Sequence, residues 1–457
     1  MEVVAANASG KDTTEFEDVV CPGCACLCDD VRIRLQGDRL IEFAPQCKLG
    51  ERWFEENLRT SDVSAWIHGQ AANWESAVRK AGELLDASDY PLIYGLSRSA
   101  TPGQRVAVEI GDFLGAAIDT TASLCHGPSI MAIQEVGEVT CTLGEIRNRA
   151  DLVVFWGCNP AESHPRHVER YSATAVGKFT SQGREDRQVV MVGNRDDLLD
   201  WQLDDQGTEP DLRVPIEPER DLEALSHLVT ALKDPTHESR MPAELKTLLD
   251  KMRSCRYGVV FFGLGLAETG AWGGTRRSGT GHVNVSTLLH LVAELNAHTR
   301  FTARRMRLQG DVSGADNVLC WQTSYPFAVD LSRGYPRYNP GEFTANELLE
   351  RGEVDAALLV GGETVPYLTE PAREHLKKIP TIVLDYSSAP RHFDATVHFA
   401  TSVYGVHAKG VAYRMDNVPL ELKQLTESAL PTDEEVLREI LAFLSRHSTK
   451  SMVDACN

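Results

Sequence analysis

Six short apolar runs recur along the chain, at residues 92–95, 152–156, 189–192, 259–262, 357–360 and 382–384. Most end in Gly, Asn or Asp and lead into longer stretches with helical spacing, such as 104–114, 285–296 and 346–350. A run this short suits a strand buried on both faces, and the helical stretches supply the cover. Strand then helix, repeated, predicts an α/β fold of parallel sheets, because parallel neighbours need a crossover connection. Ligands of such sheets bind beyond the carboxyl ends of the strands. The turns there read GLSRSATPGQ, WGCNPAESHPRH, VGNRDD, GLGLAETG and GGETVPYL. They are rich in Gly, Asn and small polar residues that let backbone approach a phosphate, although ordinary βα turns share that composition. The chain has no Walker A or G-x-G-x-x-G fingerprint; Gly263 and Gly265 are a fragment of one.

The cysteines carry the strongest chemical signal. CPGCACLCDD places Cys21, Cys24 and Cys28 in a C-x2-C-x3-C spacing, and Cys47 follows after DVRIRLQGDRLIEF, whose alternation around Gly-Asp predicts a small strand–turn–strand unit. Four thiolates suit a [4Fe–4S] cluster, with one loop wrapping most of it. A structural zinc site accepts the same count, though zinc ribbons pair two C-x2-C knuckles. Cys26 reads as a buried filler. Cys125, in TASLCHGPS, precedes His126 and a Gly-Pro turn. Its soft thiolate suits molybdenum or tungsten, with the imidazole as proton donor or acceptor, and a nucleophilic or structural cysteine is the alternative. Cys141, Cys158, Cys255 and Cys320 read as core residues, and Cys456 lies in the tail. His164 and His167 in SHPRH read as phosphate or cofactor contacts, or as simple hydrogen-bonding groups.

Composition narrows the function classes. The chain has 457 residues, 42% hydrophobic and 25% charged, and a net charge of −20. That sign argues against nucleic-acid or anionic-membrane binding. The polar, acidic start lacks the form of a secretory signal, and no apolar run is long enough for a membrane span. Eleven cysteines, an odd number, then point to a reducing, cytoplasmic setting and to thiols used as ligands. An acidic, proline-bearing stretch at 201–218 and a glycine-rich loop at 270–281 read as domain edges or surface insertions.

Together, CPGCACLCDD, CKLG, LCHGPS, GEIRNRADLVVFWGCNPAESHPRH, SYPFAVDLSRGYPRYNPGEF and AYRMDNVPLEL resemble the B subunit of formylmethanofuran dehydrogenase, of the molybdopterin oxidoreductase superfamily. The resemblance runs from about Val19 to about Leu422. It implies molybdopterin-oxidoreductase-type α/β domains holding one [4Fe–4S] cluster and a tungsten or molybdenum ion on two pyranopterin guanine dinucleotides. It also implies reversible reduction of carbon dioxide to formate, with an amidohydrolase-like subunit and a small β-rich subunit as partners. Carried over by position, Cys21, Cys24, Cys28 and Cys47 are cluster ligands, Cys125 the metal thiolate, His126 its active-site neighbour and Arg307 an active-site arginine. The cofactor's phosphates would use the βα turns, with Asn159, Arg166, His167 and Asn194 as contacts. The expected division is a tail at 1–18, a cluster-bearing β unit at 19–60, a first α/β domain at 61–215, a second region at 216–425, and a helix with tail at 426–457.

Several positions depart from that pattern. After Arg307 a histidine- and asparagine-bearing segment is replaced by LQGDVS, placing Gln309 and Asp311 there. The turn expected to face a guanine reads GGETVPYL, Lys409-Gly410 stands where Glu-Gly is expected, and AWGGTRRSGTGH looks unlike the archaeal enzymes. The B subunit of the bacterial formyltransferase/hydrolase complex is a related chain without redox chemistry, so a structural, non-redox role is the alternative expectation.

Overall fold

The computed structural model describes residues 13–217, 219–267, 281–307 and 310–447. Most of the glycine-rich loop, Gln309 and Cys456 therefore lie outside the described residues. The chain folds as two units, one of residues 1–123, 309–414 and 419–457, the other of 124–308 and 415–418. These differ from linear cuts at 60, 215 and 425. A parallel sheet takes its neighbours from distant segments, so the chain leaves the first unit mid-sheet and returns to complete it.

The first unit opens with an antiparallel sheet of Thr13–Val19, Val31–Gln36 and Arg39–Ala44. In the middle strand Val31, Ile33 and Leu35 are buried while Arg32 and Arg34 face out. Thr13–Val19 is a correction to the expected tail: mostly exposed, it is ordered by backbone pairing rather than by burial, which an apolar pattern could not reveal. The larger sheet has five parallel strands at its centre, in the order Ala117–Thr120, Pro91–Gly95, Ala356–Val360, Thr381–Tyr386 and Val397–Thr401, with antiparallel strands at both margins. Ile93, Ile118, Leu358 and Ile382 pack in one core with residues of the helices Trp74–Asp86, Thr101–Leu114 and Asp433–His447.

The second unit has one fully parallel sheet, ordered Leu212–Ile216, Gln188–Asn194, Leu152–Trp156, Tyr257–Phe262, Arg300–Arg305. Helices Asp221–Lys233, Ala243–Ser254 and Gly281–Leu295 pack on it. The acidic stretch at 201–218 is no simple insertion, since it contains the marginal strand. A margin is the place where Pro215, lacking an N–H, does least harm. Cys158 is buried, Cys141 and Cys255 are half-buried, and Cys320 is exposed on Val312–Thr323, not a core residue as expected. Its helix buries the opposite face, through Val318 and Leu319.

Asp311, one of the departures, has a structural role within the first unit. Its Oδ1 accepts from the backbone N–H of Gly314 (2.9 Å) and of Tyr413 (2.7 Å), and its Oδ2 accepts from Gln104 Nε2 (3.2 Å). Burial pushes its carboxyl up to about 7 against the pull of those bonds. A folded pKa above the unfolded value of about 4 means that this group's contribution is complete below that pH and is lost as pH rises through 7. In urea titrations between acid and neutral pH, Asp311→Asn should show a smaller loss of stability than the wild-type chain. Asp311→Ala should cost about 2 kcal/mol. An Asp311→Asn profile parallel to the wild type would contradict a protonated buried carboxyl.

Candidate functional site

The cysteine loop is turned inward by its own backbone. Cys21 N–H donates to Cys28 O (2.9 Å) and Leu27 N–H to Cys24 O (3.1 Å). Leu27 and Val20 anchor the loop among Ala100, Tyr404, Ala412 and Leu422. Cys47 stands at the start of the helix Lys48–Asn57, its carbonyl accepting from Glu51 N–H at 2.9 Å. Helix and loop meet because Gly50 lacks a side chain: a Cβ there would lie 3.0 Å from Cys21 Sγ and 2.6 Å from the Phe43 ring. Burial, then Cys28 and Cys24, push the Cys21 thiol well above its usual range; Gly23 N–H opposes this, and Cys47 adds a further push. Three buried thiols and the half-buried Cys47 thus share one neighbourhood, in which negative charge is unfavourable without a cation. Cys26 is fully buried, as a filler would be. Among the described residues no three His, Cys, Asp or Glu side chains form a group set to hold a metal ion, so the thiols are neighbours rather than a closed coordination set.

In the second unit the turns after four parallel strands enclose a cleft of about 200 Å³, lined by Gly157, Gly193, Asn194, Gly265, Glu217 and Asp221 among others. Gly157 sits at φ +62°, and a Cβ there would lie 2.6 Å from Leu266 N, so only glycine allows these two turns to touch. Gly265 N–H donates to Gly157 O at 3.0 Å, which locks the contact. Asn194 caps the helix Arg195–Asp200 by accepting from Asp196 N–H (3.3 Å). Trp201 forms one wall, and Asp197, Glu217, Glu219 and Asp221 make the lining acidic. Such a lining is chemically suited to hydroxyl and N–H donors.

Of the expected cofactor contacts, Asn194 lines this cleft and Asn159, Arg166 and His167 do not. Asn159 starts the helix Pro160–Ser163, its carbonyl accepting from Ser163, and its buried Oδ1 has no partner among the described residues. Arg166 pairs with Glu169 at 2.6 Å. His167 is fully buried, its ring edge-on to Phe261 at 4.5 Å, and burial pushes its pKa down. His164 is likewise neutral, pushed down to about 4 by burial, and its Nε2 donates to Arg307 O. This bond fixes the backbone of Arg307, itself buried.

Cys125 and His126 lie just before the helix Gly127–Val136, whose first turn is closed by His126 O accepting from Ser129 and Ile130. Cys125 is half-buried and His126 buried. Both belong to the same unit as Arg307.

No family model matches the chain. It is 36% identical over 442 residues, 93% of this chain and 97% of the relative, to a Methanocaldococcus jannaschii protein named as the B subunit of tungsten-containing formylmethanofuran dehydrogenase 2. The like-named protein of Methanococcus maripaludis is 32% identical over 440 residues, 93% of this chain and 98% of its own. This chain belongs to the family of formylmethanofuran dehydrogenase B subunits. A more distant relative is the B subunit of the formyltransferase/hydrolase complex Fhc of Methylorubrum extorquens, 24% identical over 308 residues, 66% of this chain and 76% of that one. The fold is shared with a chain in the crystal structure of the FhcABCD complex from M. extorquens with methylofuran: TM-score 0.66, 84% of this chain and 99% of that one, 21% identity.

In this formylmethanofuran dehydrogenase family member, sequence pattern did not reveal the acidic wall or Trp201: Trp201 and Glu217 lie in a stretch that reads as an insertion, and Asp197, Glu219 and Asp221 flank it without a motif. The available signal was LRVPI, a short strand whose proline marks a sheet margin. The Gly157 contact gives a direct test: Gly157→Ala should cost about 1–3 kcal/mol through strain and overpacking. Thermal unfolding that matches the wild type would refute the tight approach.

Proposed function

We propose that this chain is the redox-bearing B subunit of a formylmethanofuran dehydrogenase complex in one-carbon metabolism. Cys21, Cys24, Cys28 and Cys47 would hold a [4Fe–4S] cluster, and Cys125 a tungsten or molybdenum ion on pyranopterin guanine dinucleotide. The observation that carries this reading is the placement of buried Cys21, Cys24 and Cys28 on one loop, with the helix that Cys47 begins packed through Gly50 against Cys21. Buried thiols that oppose one another's ionisation are relieved when they become ligands of a cationic centre.

When bound, the cluster supplies single electrons and the pterin-held metal supplies the reduction of carbon dioxide to formate. The chain's own contribution is positioning. Arg307, its backbone tied to His164, can hold a carboxylate-like substrate through two parallel N–H bonds. His126, buried beside Cys125, can hold or move a proton while excluding water. At the cleft, Glu217 and Asp221 can accept from ribose hydroxyls or a guanine edge. An amidohydrolase-like subunit and a small β-rich subunit are the partners this reading implies.

One observation favours a non-redox role of the formyltransferase/hydrolase type. In the first unit the turn expected to face a guanine is filled by the chain itself. Glu363 accepts from the Ser97 hydroxyl and lies 3.4 Å from Arg98, which also pairs with Asp385 at 2.9 Å. Elemental analysis of the complex, purified anaerobically with its partners, separates the two. About four irons and one tungsten or molybdenum per chain are expected, and a metal-free complex would leave the scaffold reading. Cys24→Ser should lose most of the iron while the helical circular dichroism signal stays intact; iron retained at the wild-type level would exclude that ligand.

A further inference from the structure

A loop in the second unit, residues 173–180, exposes two large apolar side chains while its backbone is held rigidly. Val176 is 59% and Phe179 51% exposed. Beneath them the buried Arg187 guanidinium donates to the carbonyls of Ser172 (2.5 Å), Ala175 (2.7 Å) and Arg147 (2.7 Å) and to Thr180 Oγ1 (2.7 Å). Asn148 holds the tip, its Oδ1 accepting from Lys178 N–H and its backbone O from Phe179 N–H, both at 3.0 Å. Gly177 permits this closeness, since a Cβ there would fall 1.9 Å from Arg147 O. A loop fixed by so many bonds loses little entropy when it binds, and exposed aromatic and aliphatic groups on such a support are typical binding hot spots.

The surroundings define the partner's chemistry. Arg149 lies 5.0 Å and Lys178 5.5 Å from the Phe179 ring, and Arg147 is exposed nearby, on a chain whose net charge is −20. Glu145, 3.6 Å from Arg149, offsets one of these charges. We infer that loop 173–180 is a docking surface for another subunit of the same complex, one presenting an apolar pocket rimmed by carboxylates. A second copy of this chain docking through the same patch would bring like charges together, which disfavours it. The inference stands apart from the redox reading, since it needs only assembly into a complex.

The test is recovery of the partner subunits with the tagged chain. Val176→Ser with Phe179→Ser, and separately Arg149→Glu with Lys178→Glu, should each lower recovery by about tenfold or more, with circular dichroism and melting temperature unchanged. The wild-type complex should loosen at high salt, and the charge-reversed one should respond less. Undiminished recovery in both variants would overturn the inference. So would light scattering that shows loss of a wild-type homodimer with the partners still bound. If the apolar double variant fails to fold, the charge-reversed pair, whose side chains are exposed, decides. Iron and tungsten or molybdenum on the same fractions report on the redox reading alone.

Discussion

Every strand of the second unit's sheet runs in the same direction, and the cleft of that unit depends on this constraint. Parallel strands end together, so the turns that follow them meet at one edge although they lie far apart in the chain. Gly157 and Gly265 touch there because neither carries a side chain, and the acids after Leu212–Ile216 complete the wall. An antiparallel arrangement of the same segments would have scattered these turns over two edges.

The first unit solves a different problem, that of gathering thiols which repel one another as thiolates. Its solution is backbone bonding within the loop, an apolar anchor through Leu27, and Gly50, whose lack of a side chain brings the Cys47 helix against Cys21. Crowding of this kind is relieved when thiols deprotonate and bind a cation. The same unit pairs Arg98 with Glu363 and Asp385 and ties Asp311 to Gln104 and Tyr413. Positions that look like eroded binding residues in the sequence are thereby partners in the fold.

All six apolar runs are strands, and the stretches read as helical are helices, because period and run length are local properties of the chain. The cysteine spacing was equally plain. What stayed illegible was anything set by backbone pairing or by distant contacts. Thr13–Val19 pairs without burying an apolar face, Cys320 faces outward with Trp321 and Gln322 from a helix buried on its other side, and His167 packs against Phe261 instead of lining the cleft.

The sequence by itself determined the α/β class, the four-cysteine motif and the family, since each rests on residue type and spacing along one chain. Tertiary structure alone decided that the first unit is built from separate stretches of the chain, that the acidic wall completes the cleft, and that Gly50 packs the Cys47 helix against Cys21. Those outcomes come from contacts between segments far apart in the chain, and local pattern carries no information about which distant partner a turn will meet.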